Sequence, residues 1–153
     1  MISKRTKYGL KALIYLGRAK SKELVGVTEI AEKESIPKKF LEAILLDLKN
    51  HGVLQSKKGK GGGYSLGREP ELISFGEVIR ILEGPLSPLP CTSQTAYRSC
   101  EECKDERTCG VRIAIKEVRD LTAKILDGTS LAGVIDKIEQ AESETSNVFM
   151  YTI

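Results

Sequence analysis

Residues 27–66 decide the fold, and they read VTEIAEKESIPKKFLEAILLDLKNHGVLQSKKGKGGGYSL. The segment Ser35-Ile36-Pro37 separates two short predicted helices, because proline is tolerated in the first turn of a helix but not in its middle. Thr28 is the predicted N-cap of the first helix, and Gly52 is expected to end the second in a left-handed conformation. Apolar residues at helical spacing predict the buried side of the second helix: Leu41, Ile44, Leu45 and Leu48. Two short helices joined by a tight turn are typical of a helix-turn-helix.

The residues that follow predict a small β-hairpin. Residues 53–56 and 64–66 are expected to form its strands, and residues 57–63, KKGKGGG, form a glycine-rich tip. Glycine lets backbone amides approach phosphates closely, while the neighbouring lysines supply positive charge. A nucleotide-binding phosphate loop is not expected, because the stretch lacks the strand-to-helix context and the final Lys-Ser/Thr pair. The combination predicts a winged helix-turn-helix.

The charge of the chain is divided between its two halves. Residues 1–68 hold 15 Lys and Arg against 6 Asp and Glu, a net charge of +9, whereas residues 69–153 hold 9 against 15, a net charge of −6. Residues 1–22 carry seven cations and no acidic residue. A basic half next to a predicted helix-turn-helix favours nucleic acid as the partner over the alternative that lysines only solvate the surface. Since no apolar run reaches the roughly 18 residues of a membrane span, no membrane association is expected.

Further helices are predicted on both sides of this segment. One runs from Thr6 to about Lys20, and another begins at Ser74, with Glu77 three residues later completing a capping box. A proline-rich run, residues 85–90, leads into the cysteines, and a long helix follows Cys109 until Asp127-Gly128. A last short helix is expected from residues 129–131, and the apolar tail, residues 147–153, is expected to pack, with a strand as one option.

The long helix after Cys109 carries an apolar stripe that needs a partner. Its members recur at helical spacing: Val111, Ala114, Ile115, Val118, Leu121, Thr122 and Ile125. Helix-turn-helix proteins usually bind DNA as symmetric dimers, so we assign the stripe to a subunit interface. The alternative is that the helix belongs to the core of one subunit.

All four cysteines of the chain lie within 19 positions: Cys91, Cys100, Cys103 and Cys109. Thiolates gathered in this way bind a soft metal centre or carry out redox chemistry. Four thiolates also suit tetrahedral zinc, and Cys100 and Cys103 form a Cys-x-x-Cys pair such as thiol oxidoreductases use. Against oxidoreductase chemistry, the acidic residues around this pair, Glu101, Glu102, Asp105 and Glu106, are expected to raise the thiol pKa. Because no other catalytic set is present, the chain is not expected to be an enzyme.

Several stretches together resemble a family of winged-helix transcription regulators that includes IscR, NsrR and CymR. The stretches are SKRTKYGLKAL at residues 3–13, FLE at 40–42, GGGYSL at 61–66, EGP at 83–85 and the cysteines. The resemblance covers nearly the whole chain. It implies that the second helix of the motif enters the major groove, where Glu42 accepts from a cytosine amino group, and that the wing around Lys58 reaches a minor groove. The residues expected at DNA are Thr28, Lys38, Lys39, Glu42, Lys49, Lys57, Lys58, Gly59 and Lys60.

The resemblance also implies an iron–sulfur centre. Cluster-bearing members ligate a [2Fe-2S] centre with three cysteines after the Gly-Pro break, and Cys91 and Cys109 match the first and third of these. The middle ligand is Cys100 or Cys103, or both ligate, since the position of the histidine that IscR uses is Arg112 here. The only histidine, His51, is expected to be a helix C-terminal residue rather than a ligand. The C-terminal end resembles CymR, whose loop carries no cluster, so a cluster-free regulator of cysteine metabolism with a zinc or thiol site is the alternative.

The expected protein is a mostly α-helical, homodimeric, cytoplasmic repressor that binds palindromic double-stranded DNA. Its control is assigned to an iron–sulfur cluster or to the redox state of its cysteines. Three parts are expected: a winged helix-turn-helix domain (1–84), the cysteine loop (85–109), and a dimerisation helix with a C-terminal tail (110–153). A rival from another class is the thiol oxidoreductase, and a third is a winged-helix protein that binds another protein instead of DNA.

Overall fold

The computed structural model describes residues 2–19 and 23–150, which form six α-helices and one antiparallel hairpin. In chain order the elements are α1 (Lys4–Arg18), α2 (Val27–Glu34), α3 (Lys38–Asn50), β1 (Leu54–Lys57), β2 (Gly63–Leu66), α4 (Phe75–Leu82), α5 (Gly110–Asp127) and α6 (Leu131–Met150). Short 3-10 turns lie at Pro70–Leu72 and Pro90–Thr92. The mostly α-helical architecture with a two-stranded wing confirms the predicted fold class.

The helix-turn-helix consists of α2 and α3, as predicted, with one correction at its start. Gly26, not Thr28, is the N-cap of α2, and the carbonyl of Gly26 accepts from the N–H of Ile30 at 3.2 Å. Thr28 therefore lies inside the first turn, where its hydroxyl cannot cap the helix. Ser35 ends α2 in the left-handed conformation with φ 54°, and Pro37 is the N-cap of α3. Gly52 follows α3 with φ 74°, a conformation that glycine adopts without steric cost.

The core lies where α3 packs between α1, α2 and α4. Leu41, Ile44, Leu45 and Leu48 are all fully buried, which confirms the predicted stripe of α3. Helix α1 approaches closely because Gly9 has no side chain; a Cβ there would collide with Leu82 and lie 3.2 Å from Cγ2 of Ile44. Burial of four large aliphatic side chains stabilises the fold by roughly 1.5 to 3 kcal/mol each before entropy is counted.

The wing, formed by β1 and β2, is also hydrogen-bonded to the residues before α2. Strand β1 pairs with β2 in the register Leu54 to Leu66. Val25 exchanges backbone hydrogen bonds with Tyr64, at 2.9 and 2.8 Å. A Cβ on Gly63 would lie 2.5 Å from the carbonyl oxygen of Val25, so this contact requires glycine. The wing is therefore fixed relative to the start of α2.

Polar contacts fasten the first turn of α1 to the end of α4. The carboxylate of Glu83 accepts from the backbone N–H of Ser3 at 3.0 Å and from the hydroxyl of Thr6 at 2.6 Å. The side chain of Ser3, the hydroxyl of Thr6 and the backbone N–H of Ser3 lower the pKa of Glu83 to about 2. Arg5 donates to the carbonyl of Leu82 at 2.9 Å and forms an ion pair with Asp47 of α3. The first turn of α1 is thus bonded to both α3 and α4.

Helix α6 is longer than predicted and begins inside the core. Leu131 and Ile135 are buried, and a Cβ on Gly17 of α1 would lie 2.6 Å from Cδ1 of Ile135. The N–H of Leu131 donates to the carbonyl of Ile73 at 2.8 Å. The prediction of a short helix was wrong, because the polar second half lacks the apolar periodicity by which a helix is detected from sequence. Residues 147–150 of the apolar tail continue this helix and are not a strand, and residues 151–153 lie outside the described residues.

Helix α5 leaves its apolar stripe in solvent. Val111, Val118, Leu121 and Ile125 are 51–66% exposed, and Arg119 is the buried residue of this helix. Ile115, four residues after Val111 and three before Val118, is half-buried at the edge of the stripe. A helix in the core of one subunit would bury these side chains, so the alternative of an intramolecular core helix is disfavoured.

Replacing Glu83 with glutamine tests the contact between α1 and α4. A carboxyl group with a pKa near 2 in the folded state, against an ordinary value of 4.5, stabilises the fold above pH 4.5, and this contribution disappears as the pH falls towards 2. We expect Glu83→Gln to lower the free energy of unfolding near neutral pH, with the difference from wild type shrinking as the pH falls below 4.5. Urea titrations at several pH values measure it.

The matched control is Glu71→Gln, which removes a carboxylate from an exposed residue of a 3-10 turn. A Glu83→Gln difference that stays constant with pH would contradict the assignment.

Candidate DNA interface and cysteine loop

The solvent face of α3 carries most of the predicted DNA-binding residues. Lys38, Lys39 and Glu42 are exposed in its N-terminal half. Lys49 is half-buried at the other end, about 15 Å from Lys39 along the axis at 1.5 Å per residue. In helix-turn-helix proteins the N-terminal residues of the second helix contact base edges. Lys38, Lys39 and Glu42 have that placement, and Lys49 does not.

An aromatic pair that sequence reasoning missed supports the start of α3. The rings of Tyr8 and Phe40 meet edge to face, with centroids 5.8 Å apart and an interplanar angle of 86°. Phe40 remains 42% exposed, so the pair lies at the surface beside Lys39. Tyr8 and Phe40 both fall within the stretches that resemble the family, which was the available signal. The contact orients the first turn of α3 relative to α1.

The wing presents a second group of cations. Lys57, Lys58, Gly59 and Lys60 are all exposed at its tip. Thr28 is exposed in the first turn of α2, three residues after Val25, whose backbone pairs with the wing. The structure thus brings Thr28 and the hairpin to one region, although they are far apart in sequence.

Other cations of the basic half are neutralised within the chain. Arg5 pairs with Asp47, Lys11 with Glu34 at 3.1 Å, Arg18 with Glu142 at 2.6 Å and Arg68 with Glu77 at 2.7 Å. Lys20 and Lys22 lie outside the described residues. The net charge of +9 therefore overstates the surface available to a polyanion. Six of the remaining cations lie on α3 and the wing, and Lys4, Lys7 and Lys33 are exposed on α1 and α2.

The four cysteines lie in different environments at the base of α5. Cys91 is buried in the turn Pro90–Thr92, Cys100 is exposed, and Cys103 and Cys109 are partly buried. Nε of Arg112, in the first turn of α5, donates to the carbonyl of Cys91 at 3.1 Å. Cys109 is the N-cap of α5. The first and last cysteines are thus both connected to the start of this helix.

The thiols of Cys103 and Cys109 are neighbours, and Sγ of Cys103 donates to the carbonyl of Asp105 at 3.9 Å. The Cys109 thiol raises the pKa of Cys103 to about 11, with burial and the nearby Cys100 adding to the effect. The backbone N–H of Arg112 and the neighbouring Cys103 thiol lower the pKa of Cys109. Sequence reasoning expected a raised pKa from acidic neighbours, but the main cause is Cys109.

The four cysteine thiols are chemically suited to bind an iron–sulfur or zinc centre. They are not all gathered into one site. Among the described residues no three His, Cys, Asp or Glu side chains are grouped so as to hold a metal ion. Cys103 and Cys109 are neighbours, and a complete ligand set would need further cysteines to join them. His51 is the C-cap of α3, and its Nδ1 lies 2.8 Å from the carbonyl of Asp47, as expected for a helix C-terminal residue.

Within the part of the chain that the structure describes, no helix combines the length and the apolar character needed to cross a membrane.

Comparison with known proteins gives one family. Residues 2–137 match the Rrf2 family, described as iron-dependent transcriptional regulators. An Rrf2-like HTH-type transcriptional regulator of Rhodobacter capsulatus is 41% identical over 138 residues, covering 88% of this chain and 92% of that protein. The structure of CymR, the global cysteine regulator of Bacillus subtilis, superimposes with a TM-score of 0.73 at 30% identity, covering 90% of this chain and 97% of CymR. That of T. potens IscR gives a TM-score of 0.73 at 26% identity, covering 92% and 90%.

These matches confirm the family that the sequence resembles and the prediction of a transcription regulator rather than an enzyme. They extend over the winged helix-turn-helix, the cysteine loop and α5, so the similarity is not confined to the DNA-binding motif. The chain is therefore a member of the Rrf2 family of winged helix-turn-helix, DNA-binding transcription regulators.

Proposed function

We propose that the chain is a homodimeric repressor that binds a palindromic operator and that its cysteine loop senses an iron–sulfur or redox signal. The observation that carries the DNA-binding part is the solvent face of α3, where Lys38, Lys39 and Glu42 stand opposite a fully buried stripe. The three predicted parts, 1–84, 85–109 and 110–153, correspond in this proposal to DNA binding, sensing and dimerisation. A repressor of this kind acts in the cytoplasm, where it meets the chromosome.

The proposed DNA contacts follow the exposure of each side chain. Glu42 accepts from a cytosine amino group in the major groove, and Lys58 reaches an adjacent minor groove from the wing. The remaining contacts are to phosphates, made by Thr28, Lys38, Lys39, Lys49, Lys57, Gly59 and Lys60. Gly59 contributes through its backbone amide.

The dimer forms through the exposed stripe of α5. Val111, Val118, Leu121 and Ile125 lie seven or three to four residues apart, so they share one side of the helix, and each is at least half exposed. An exposed apolar stripe of this length marks a protein interface. Symmetric pairing would place two copies of α3 at consecutive half-sites.

The cysteine loop is proposed to hold a [2Fe-2S] centre through Cys91, Cys100, Cys103 and Cys109. The four thiols within 19 positions and the iron-dependent family to which the chain belongs support this assignment. When bound, the centre supplies a group that oxygen or nitric oxide can destroy. The residues of the loop connect its state to the dimer helix, because Cys109 caps α5 and Arg112 holds the carbonyl of Cys91. Ordering or release of the loop would then change the spacing of the two α3 helices.

A second candidate is a cluster-free regulator with a zinc or thiol site. The similarity to CymR, a global cysteine regulator, favours it. In this candidate the low-pKa thiol of Cys109 is the reactive group.

Replacing Lys39 or Lys58 with glutamine tests the DNA interface. Each change removes one phosphate or groove contact, so we expect affinity for an operator selected from random DNA to fall roughly fivefold, about 1 kcal/mol. The slope of log K against log salt should fall by about 1 for each removed phosphate contact. Fluorescence anisotropy at several salt concentrations measures both.

Lys137→Gln is the control: Lys137 is an exposed residue of α6, and its replacement should leave DNA binding unchanged. If DNA affinity depended little on salt and did not change when Lys39 or Lys58 was replaced, the result would instead indicate a protein partner.

Replacing Leu121 with aspartate tests the dimer. The side chain is 61% exposed in one subunit, so the change should leave the subunit folded and break the dimer. Sedimentation velocity should show a monomer, and circular dichroism should be unchanged. Leu72→Asp is the control, since Leu72 is 67% exposed away from α5 and should leave the dimer intact. A Leu121→Asp protein that remains dimeric would exclude this interface.

Anaerobic purification with iron, sulfide and zinc analysis tests the cysteine loop. A cluster predicts about two iron and two sulfide per subunit with visible absorption. Alanine at each of the four cysteines in turn identifies the ligands, because loss of a ligand should bleach the protein. Colourless protein with zinc, or with no metal, would replace the cluster proposal by the second candidate and leave DNA binding in place.

A further inference from the structure

One arginine of α5 is buried with most of its guanidinium group unpaired. The side chain of Arg119 is 7% exposed. Its Nη2 lies 3.1 Å from Oδ1 of Asp120, but its Nε and Nη1 have no hydrogen-bond partner among the described residues. Leaving two nitrogens of a buried guanidinium group without acceptors is unfavourable. The position is therefore explained by a ligand better than by packing alone.

Asp120 does not balance this charge. Adjacent residues on a helix point in different directions, so Asp120 reaches only one nitrogen of the group. Its side chain is 50% exposed, and water screens an ion pair of this kind. Arg80, the other cation nearby, forms a two-point ion pair with Asp127 at 2.6 and 3.0 Å. Arg119 is thus the uncompensated charge at this place.

A small cavity of about 20 Å³ opens beside Arg119. It lies between α4, α5 and the first part of the cysteine loop, and its lining includes Ser87, Ser93, Gln94 and Thr95 but no acidic residue. Such a volume exceeds the roughly 10–15 Å³ that one water molecule needs. Because Gln94 and Thr95 are exposed, the cavity reaches the surface, and a ligand can insert one charged end.

A hydroxyl group in the lining can complete the site. Ser93 is 8% exposed, and its Oγ accepts from the N–H of Ala96 at 3.0 Å, which leaves the hydroxyl proton as a donor. Ser87 is already engaged, since its Oγ donates to the carbonyl of Leu89 at 2.7 Å. The site therefore offers donors and positive charge, which is the chemistry that binds anions.

We propose that this cavity binds a small oxyanion, either a carboxylate or a sulfate-like or phosphate-like group. Two of its oxygens accept from Nε and Nη1 of Arg119, the fork that suits such groups, and Ser93 donates a further hydrogen bond. The site depends neither on a metal centre nor on DNA. Ser93 lies two residues after Cys91, and Arg119 lies on α5. A bound anion would therefore connect this part of the cysteine loop to α5.

Titration of the full-length wild-type protein with acetate and with sulfate tests the proposal. Chloride keeps the ionic strength constant, because it cannot offer two oxygens to the guanidinium. We expect one arginine Nε–H resonance to shift saturably and the melting temperature to rise with the oxyanion. Tighter binding of acetate would indicate a carboxylate ligand, and tighter binding of sulfate a sulfate-like or phosphate-like one.

Arg119→Met removes the cation and keeps an apolar stem of similar length. We expect it to weaken anion binding at least tenfold, the loss expected for hydrogen bonds from a charged donor. Arg107→Met is the matched control. Arg107 lies in the cysteine loop with a 90% exposed side chain, so this change should leave the affinity unchanged.

Three results would overturn the proposal: no saturable shift in the wild-type protein, full binding by Arg119→Met, or a resonance that follows protein concentration and ignores the anion. The last would place a carboxylate of a second copy at Arg119. If Arg119→Met does not fold, the wild-type titration alone decides.

Discussion

Complete burial of one side of α3 is the constraint on which the rest of the structure depends. Leu41, Ile44, Leu45 and Leu48 have no exposed surface, so the opposite side of the same helix must face solvent. That side carries Lys38, Lys39 and Glu42. Their presentation is rigid, because moving them would require repacking the core against α1 and α4.

The ends of the surrounding helices secure this core with charge. Glu83 accepts from Ser3 and Thr6, while Arg5 bridges Leu82 and Asp47. Arg5 is thereby neutralised, although composition alone would assign it to a DNA-binding surface. Of the cations outside these ion pairs, six lie on α3 and at the wing tip, and the exposed Lys4, Lys7 and Lys33 lie on α1 and α2. Neutralisation within the chain thus makes the basic surface smaller than the net charge suggests.

Helix α5 has an apolar, exposed side and a side with two arginines that faces the cysteine loop. Its outer side exposes Val118, Leu121 and Ile125, and its inner side places Arg112 and Arg119 against the cysteine loop. Because Cys109 is also the cap of this helix, the loop and the outer stripe share one rigid element. A change in the loop therefore acts on the same helix that the proposed dimer uses.

The sequence by itself determined the helix-turn-helix, the wing, the buried stripe of α3 and the extent of α5. These features follow from apolar periodicity, glycine and proline, which act over a few residues. It also identified the cysteines and, through the motifs around Tyr8, Phe40 and the wing, the family.

Only the tertiary structure decided which cations are neutralised. It also showed that α6 starts in the core and continues to Met150, and that Arg119 is buried beside a cavity. Arg5 and Asp47 are 42 residues apart in sequence, and Thr6 and Glu83 are 77 apart. Contacts of this kind depend on which distant segments meet when the chain packs, and local sequence patterns carry no information about that.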